Sequence, residues 1–189
     1  VGLHLKGALD QPALQRALDR IVERHEDLRT VFSSIDGAPR QQVGAAFGFA
    51  LGQTDLTDLP DAERSAATDR IAAAEAAAPF DLARGPLIRG QLLRLADDEH
   101  ILLITQHHIV SDGWSINVLV GELSALYGAF AQGRPDPLAP LAIQYADYAA
   151  WQRRWLQGDV LKAQVDFWTA HLRGAPALLA LPADRARPA

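Results

Sequence analysis

The stretch Ile101-Leu102-Leu103-Ile104-Thr105-Gln106-His107-His108-Ile109-Val110-Ser111-Asp112-Gly113-Trp114-Ser115 decides how the chain is read. Its first four residues form a continuous apolar run bounded by polar groups, the pattern of a strand buried on both faces. Beyond it, Ile116, Leu119, Val120, Leu123, Leu126, Tyr127 and Phe130 trace one face of a helix that Gly133 and Pro135 close. The polar cluster between them sits where a buried strand gives way to a helix. Folds present side chains and free backbone N–H groups to ligands at such places. Successive strand residues point to opposite faces, so His107 and His108 cannot both enter one pocket while the strand persists. The pair is not a two-tooth metal ligand.

Upstream, Leu87 to Leu95 alternates apolar with polar residues and Ala96-Asp97-Asp98-Glu99 turns, which predicts a second strand. Residues 61–77 predict an Ala-rich helix that Pro79 ends; six alanines between positions 72 and 78 suit close packing against something flat. Leu28 to Ile35 reads as a strand stopping at the hairpin-type turn Asp36-Gly37, with residues 40–50 as its weaker return. Asp10 has the character of an N-cap, with Pro12 in the first turn of an amphipathic helix over residues 11–26. Val1 to Gly7 alternates as a half-buried strand. Downstream, Pro135-Asp136-Pro137 and Pro140 form a short linker before helices at about 142–157 and 159–172, separated by Gly158. The tail from Gly174 has no periodicity and reads as a connector. Strands and helices mix without strict alternation, so the fold class is α+β.

The 189 residues, 49% hydrophobic and 22% charged, suit one domain or one lobe of a larger one. No apolar run approaches the roughly 20 residues of a membrane helix, and no basic, apolar leader is visible; a cytoplasmic location is expected. The net charge of −5, with Lys6 and Lys162 the only lysines, argues against nucleic acid as partner. The absence of cysteine removes disulfides, thiolate catalysis and Cys-based zinc sites. Methionine is absent too, and Val1 already lies in strand-like sequence, so a segment of a longer polypeptide is expected.

Histidine can serve as a base near neutral pH without large tuning. A lone His at a strand end is usually structural, but two His, an Asp four residues after the second, and then Gly make a less ordinary group. Asp112 has two possible jobs: orienting the His, or pinning the loop through an ion pair. Gly113 would allow a tight turn and leave an N–H for a developing oxyanion. A zinc site is less well supported, since no third ligand is apparent. Neither Ser111 nor Ser115 lies in a nucleophile elbow. In Arg24-His25-Glu26-Asp27-Leu28-Arg29-Thr30-Val31-Phe32, Arg24 and His25 suit a helix C-terminus. Arg29, inside an apolar strand, needs a partner if buried, and Asp112 is one candidate. Tyr145-Ala146-Asp147-Tyr148-Ala149-Ala150-Trp151 reads first as an aromatic helix face in a core or an interface.

These three clusters, in this order, resemble the condensation domains of nonribosomal peptide synthetases. His107 to Ser115 matches that family's His-His-x-x-x-Asp-Gly core with its usual Trp-Ser extension. Arg24 to Phe32 is similar to its Arg-His-Glu-x-Leu-Arg-Thr-x-Phe motif, and Tyr145 to Trp151 to its Tyr-x-Asp-(aromatic)-Ala-x-Trp motif. The core motif alone is shared with other acyltransferases of the chloramphenicol acetyltransferase superfamily.

The resemblance implies a chloramphenicol acetyltransferase-like lobe, a mixed β-sheet flanked by helices. It makes residues 1–174 the N-terminal lobe and residues 175–189 a connector toward a missing C-terminal lobe. It further implies an acyltransferase that joins a donor thioester to the amine of an acceptor aminoacyl thioester. Both substrates would ride on phosphopantetheine arms of carrier proteins, with an adenylation domain as neighbour and no bound cofactor or metal. His108 and Gly113 would be catalytic, with His107, Asp112, Arg29, Trp114 and Ser115 in support and Asp112 paired with Arg29. His108 would act as general base or position the amine. An isolated lobe would lack turnover. The alternatives are an ester-forming acyltransferase or an epimerisation domain of the same superfamily, or a non-catalytic carrier-docking module.

Overall fold

The computed structural model describes residues 1–177, Pro182 and Arg185. Past Ala177, the expected connector lies almost wholly outside the described residues. The chain divides into two units, Val1–Ala146 and Asp147–Ala189.

The first unit is built on a mixed sheet. Strands β1 (Gly2–Lys6), β4 (Leu51–Asp55), β5 (Ile88–Ala96) and β6 (Glu99–Gln106) lie in the order β1-β6-β5-β4. β6 runs antiparallel to both β1 and β5, whereas β4 is parallel to β5. Helices α1 (Gln11–Arg24) and α3 (Gly113–Phe130) cover one face. Leu14, Leu18 and Ile21 of α1 and Leu119, Leu123 and Leu126 of α3 close there over Leu92, Leu102 and Ile104. Helix α2 (Asp61–Ala77) covers the other face, where Ala67 meets Leu56 and Leu93, with Ile71, Ile101 and Leu103 packed alongside. The small side chains of α2 permit this close approach to a flat sheet. The apolar run of β6 thus has cover on both faces, as its sequence implies.

The Asp10 carboxylate accepts from Ala13 N at 2.9 Å and starts α1. That helix stops at Arg24, and Glu26–Arg29 forms a short 3₁₀ turn, so the next strand, β2 (Thr30–Ile35), begins two residues later than its composition suggests. β2 pairs with β3 (Ala38–Val43) through Asp36-Gly37, whose φ values of 51° and 76° suit a two-residue hairpin turn. The return strand therefore ends at Val43, before the expected residue 50. β4 was not anticipated: five residues with a glycine in second place carry little alternation, and parallel pairing to β5 sustains them.

The second unit contains most of α4 (Tyr145–Trp155) and all of α5 (Gly158–His171). Neither helix buries a residue. On α4, Trp151 and Trp155 stack at 5.5 Å between ring centroids. The aromatic face expected of this segment is therefore present and exposed.

Candidate active site at the junction of β6 and α3

Strand β6 ends at Gln106, and a tight turn separates the two histidines where pleat alternation was expected to do so. His107 N donates to Leu87 O and Val110 N donates to His107 O, both at 3.0 Å, which closes the turn over residues 107–110. Ile109 N donates to His107 Nδ1 at 3.0 Å, so the neutral ring carries its proton on Nε2. The His107 ring meets that of Phe80 edge to face, centroids 5.9 Å apart. His108 sits at the tip of the turn, exposed, its ring bonded to none of the described residues. Val110 is buried and anchors the turn to the core, and Ser111 Oγ donates to Gln106 Oε1 at 3.2 Å.

Asp112 caps α3. Its Oδ1 accepts from Ser115 N at 2.8 Å and Ser115 Oγ at 2.7 Å, and Asp112 N donates to Ser115 Oγ at 3.2 Å. The Ser115 hydroxyl, its N–H and, more weakly, charge on His108 hold the Asp112 carboxyl below the usual range. Gly113 opens the helix, so its N–H belongs to the first turn, where no carbonyl of the helix receives it. Its φ is not in the left-handed region, and nothing lies within 4 Å of where a Cβ would stand. A tight turn is therefore not what glycine supplies here. Trp114 is 80% exposed.

Arg29 does not pair with Asp112. Its Nη2 lies 3.3 Å from Glu26 Oε1 and its Nη1 donates to Gly44 O. Its buried Nε has no partner among the described residues. The 3₁₀ turn directs the guanidinium to the exit of β3, while Asp112 spends its lone pairs on the helix cap. Arg24 and His25 do more than complement a helix dipole: both contact Glu122 of α3. Glu122 is the one charged residue in that helix, a signal available in the sequence and overlooked. Phe80 and Arg89 were also overlooked. A cavity of about 130 Å³ opens beside the turn, among Ile21, His25, Leu28, Gln106, Trp114 and Val118. Among the described residues, no group of three or more His, Asp or Glu is placed to hold a metal ion.

A solvent-facing imidazole on a turn held at both ends, beside the first turn of a helix, can accept a proton and stabilise nearby negative charge. An α+β unit bearing this arrangement at the end of an inner strand of its sheet is the structural class. The condensation-domain family model matches residues 1–189, and the chain belongs to that family. It is 52% identical over 187 residues to malpibaldin synthetase of Mortierella alpina, covering 98% of this chain and 3% of that protein. The X-domain from teicoplanin biosynthesis superposes with a TM-score of 0.87 at 37% identity, covering 100% of this chain and 41% of that one. The epimerization domain from the third module of tyrocidine synthetase B superposes with a TM-score of 0.82 at 27% identity, covering 99% and 41%. The chain thus spans a small fraction of the synthetase and less than half of either solved domain.

Proposed function

We propose that the chain contributes the N-terminal lobe of a peptide-bond-forming condensation domain, with residues from about 175 leading toward a second lobe. The acceptor's amine nitrogen attacks the carbonyl carbon of the donor acyl or peptidyl thioester. The C–S bond then breaks, and the carrier's thiol leaves with a proton as the amide forms. Both substrates arrive on phosphopantetheine arms of carrier proteins, which makes those carriers and a neighbouring adenylation domain the partners. His108 takes the amine's proton or holds the amine in line, and the Gly113 N–H faces the developing oxyanion. Two tethered substrates supply much of the orientation, so the demand on acid–base power is modest.

The observation that carries this reading is the exposed His108, bonded to none of the described residues, beside the first turn of α3. The test uses a condensation domain containing this chain, supplied with loaded donor and acceptor carriers. Dipeptidyl thioester should form, and His108→Ala should reduce it at least about 100-fold. Full retention of product removes His108 from the chemistry. Residues 1–189 alone should show no turnover, since on this reading the second lobe completes the site.

A second reading draws on the teicoplanin X-domain, which has also been solved in complex with OxyB. On that reading the domain recruits a partner protein and makes no bond. Absence of product from the unsubstituted domain, together with stable capture of a tailoring enzyme, would favour it.

A further inference from the structure

On the far side of the turn from α3, a chain of contacts runs from the end of α2 to His107. Arg89 of β5 gathers carbonyls at and just beyond the end of α2: Nη2 donates to Glu75 O at 3.0 Å and to Ala78 O at 2.6 Å, and Nη1 to Pro79 O at 3.3 Å. Its Nε donates to the Glu75 carboxylate, and both side chains are largely buried. This fixes the guanidinium, whose Cζ lies 3.9 Å from the centroid of the Phe80 ring. Phe80 in turn meets the His107 ring at 89°. Two residues before Arg89 on the same segment, Leu87 O takes the His107 N–H. Backbone and ring of His107 are therefore both held from the β5 side.

We infer that Phe80 and Arg89 are positioning residues for the turn, acting through His107 to set the place of His108. The inference rests on the condensation reading for its consequence in turnover, but its physical content is independent of it. A helix cap alone would not require an aromatic ring between Arg89 and His107. If the relay operates, the Phe80 ring holds the His107 ring in the orientation in which Nδ1 accepts from Ile109 N, so ring orientation and, through that bond, tautomer depend on it, and the adjacent His108 loses its place when the ring is removed.

The test has two arms. In the full 189-residue chain, labelled at its six histidines, long-range ¹H–¹⁵N correlation reads the His107 tautomer and its ring-proton shifts. The unsubstituted chain should show the Nε2–H form with ring protons shifted by Phe80. Phe80→Leu should give a mixture of tautomers without that shift, Phe80→Tyr should restore both, and Arg89→Gln should behave as Phe80→Leu does. In a condensation domain containing the chain, Phe80→Leu should lower kcat at least about tenfold with KM little changed, and Phe80→Tyr should recover most of it. An unaltered His107 signature in a folded Phe80→Leu chain overturns the relay. An altered signature with unchanged kcat overturns its role in positioning. If the unsubstituted domain makes no product, it is the condensation reading that fails, and the His107 signature decides the relay alone. If Arg89→Gln does not fold, the Phe80 pair of variants carries the decision.

Discussion

Arg24 near the end of α1 and Glu122 in the middle of α3 meet at 3.0 Å, Nε to Oε1, with side chains only 8% and 14% exposed. The other carboxylate oxygen lies 2.6 Å from His25 Nε2. One acidic group thus engages two consecutive residues at the C-terminal end of α1. Arg24 also donates to Ala139 O at 2.6 Å, and its own carbonyl accepts from Gln144 Nε2 at 2.9 Å. The pair therefore ties α1, α3 and the linker after α3 into one corner.

Because both partners are buried, removing one strands the other's charge. Glu122→Ala is expected to destabilise the chain by about 3 kcal/mol, read from the urea midpoint at constant m. A loss under about 1 kcal/mol would mean the pair behaves as a surface contact.

Two glycines of the sheet separate by what surrounds them. A Cβ on Gly90 would stand 2.9 Å from Leu103 O and 2.9 Å from the Phe49 ring, a buried side chain with no room to move. Gly90→Ala should cost about 2 kcal/mol. A Cβ on Gly52 would meet only the amide end of Gln91, which can swing away. Gly52→Ala should stay within about 0.5 kcal/mol of the parent. Equal losses at the two positions would contradict the packing described for β5.

The contrast explains what the sequence could and could not tell. Periodicity located α1, α2 and α3 because each carries an apolar stripe or a clear stop. The core motif located the β6–α3 junction because its residues are contiguous. β4 escaped notice because parallel pairing depends on the backbone of β5 and leaves no alternation in Leu51–Asp55. The same holds for side-chain partners. Arg29 needed a partner, and Asp112 was one candidate, which the family resemblance then favoured, whereas a 3₁₀ turn invisible to composition brought Glu26 and Gly44 closer. Glu122 and Phe80 sit 97 and 27 residues from His25 and His107, beyond the reach of any local pattern.

At the end of β4, Thr57 donates its hydroxyl at 2.7 Å and its N–H at 3.0 Å to Asp55 Oδ1, and Arg94 Nη1 donates to Oδ2 at 2.8 Å. Together these lower the Asp55 carboxyl from 3.8 to about 2, with Thr57 the larger influence. A folded value below the unfolded one means that this contribution to stability is complete above about 3.8 and fades as pH falls toward 2. Carboxyl titration by NMR should place Asp55 near 2, and Thr57→Ala should return it toward 3.8. An unmoved midpoint in that variant would show that the Thr57 bonds do not form in solution.

Asp112 acts on α3 through its cap. Asp112→Ala should lower the melting temperature by about 3 °C, whereas Asp112→Asn, which keeps an acceptor for Ser115 N, should recover most of it. Arg29→Ala combined with Asp112→Ala should give an additive loss, because the two side chains share no contact. A coupling above about 0.5 kcal/mol would restore the ion pair that the family resemblance implies.

Gly113 offers the sharpest separation of fold from function. Among the described residues nothing lies within 4 Å of a Cβ at this position, and its backbone is not left-handed, so neither packing nor conformation requires glycine. Alanine is the better helix former, and Gly113→Ala should leave the melting temperature unchanged or raise it. A requirement for glycine would then come from what approaches the helix N-terminus from outside. On the proposed function, a methyl group there would stand beside the N–H assigned to the thioester oxygen and hold that oxygen off. In a condensation domain containing this chain, Gly113→Ala should therefore lower kcat at least about tenfold without loss of stability. Unchanged turnover in a stable Gly113→Ala variant would place the oxyanion elsewhere and leave His108 to act without the first turn of α3.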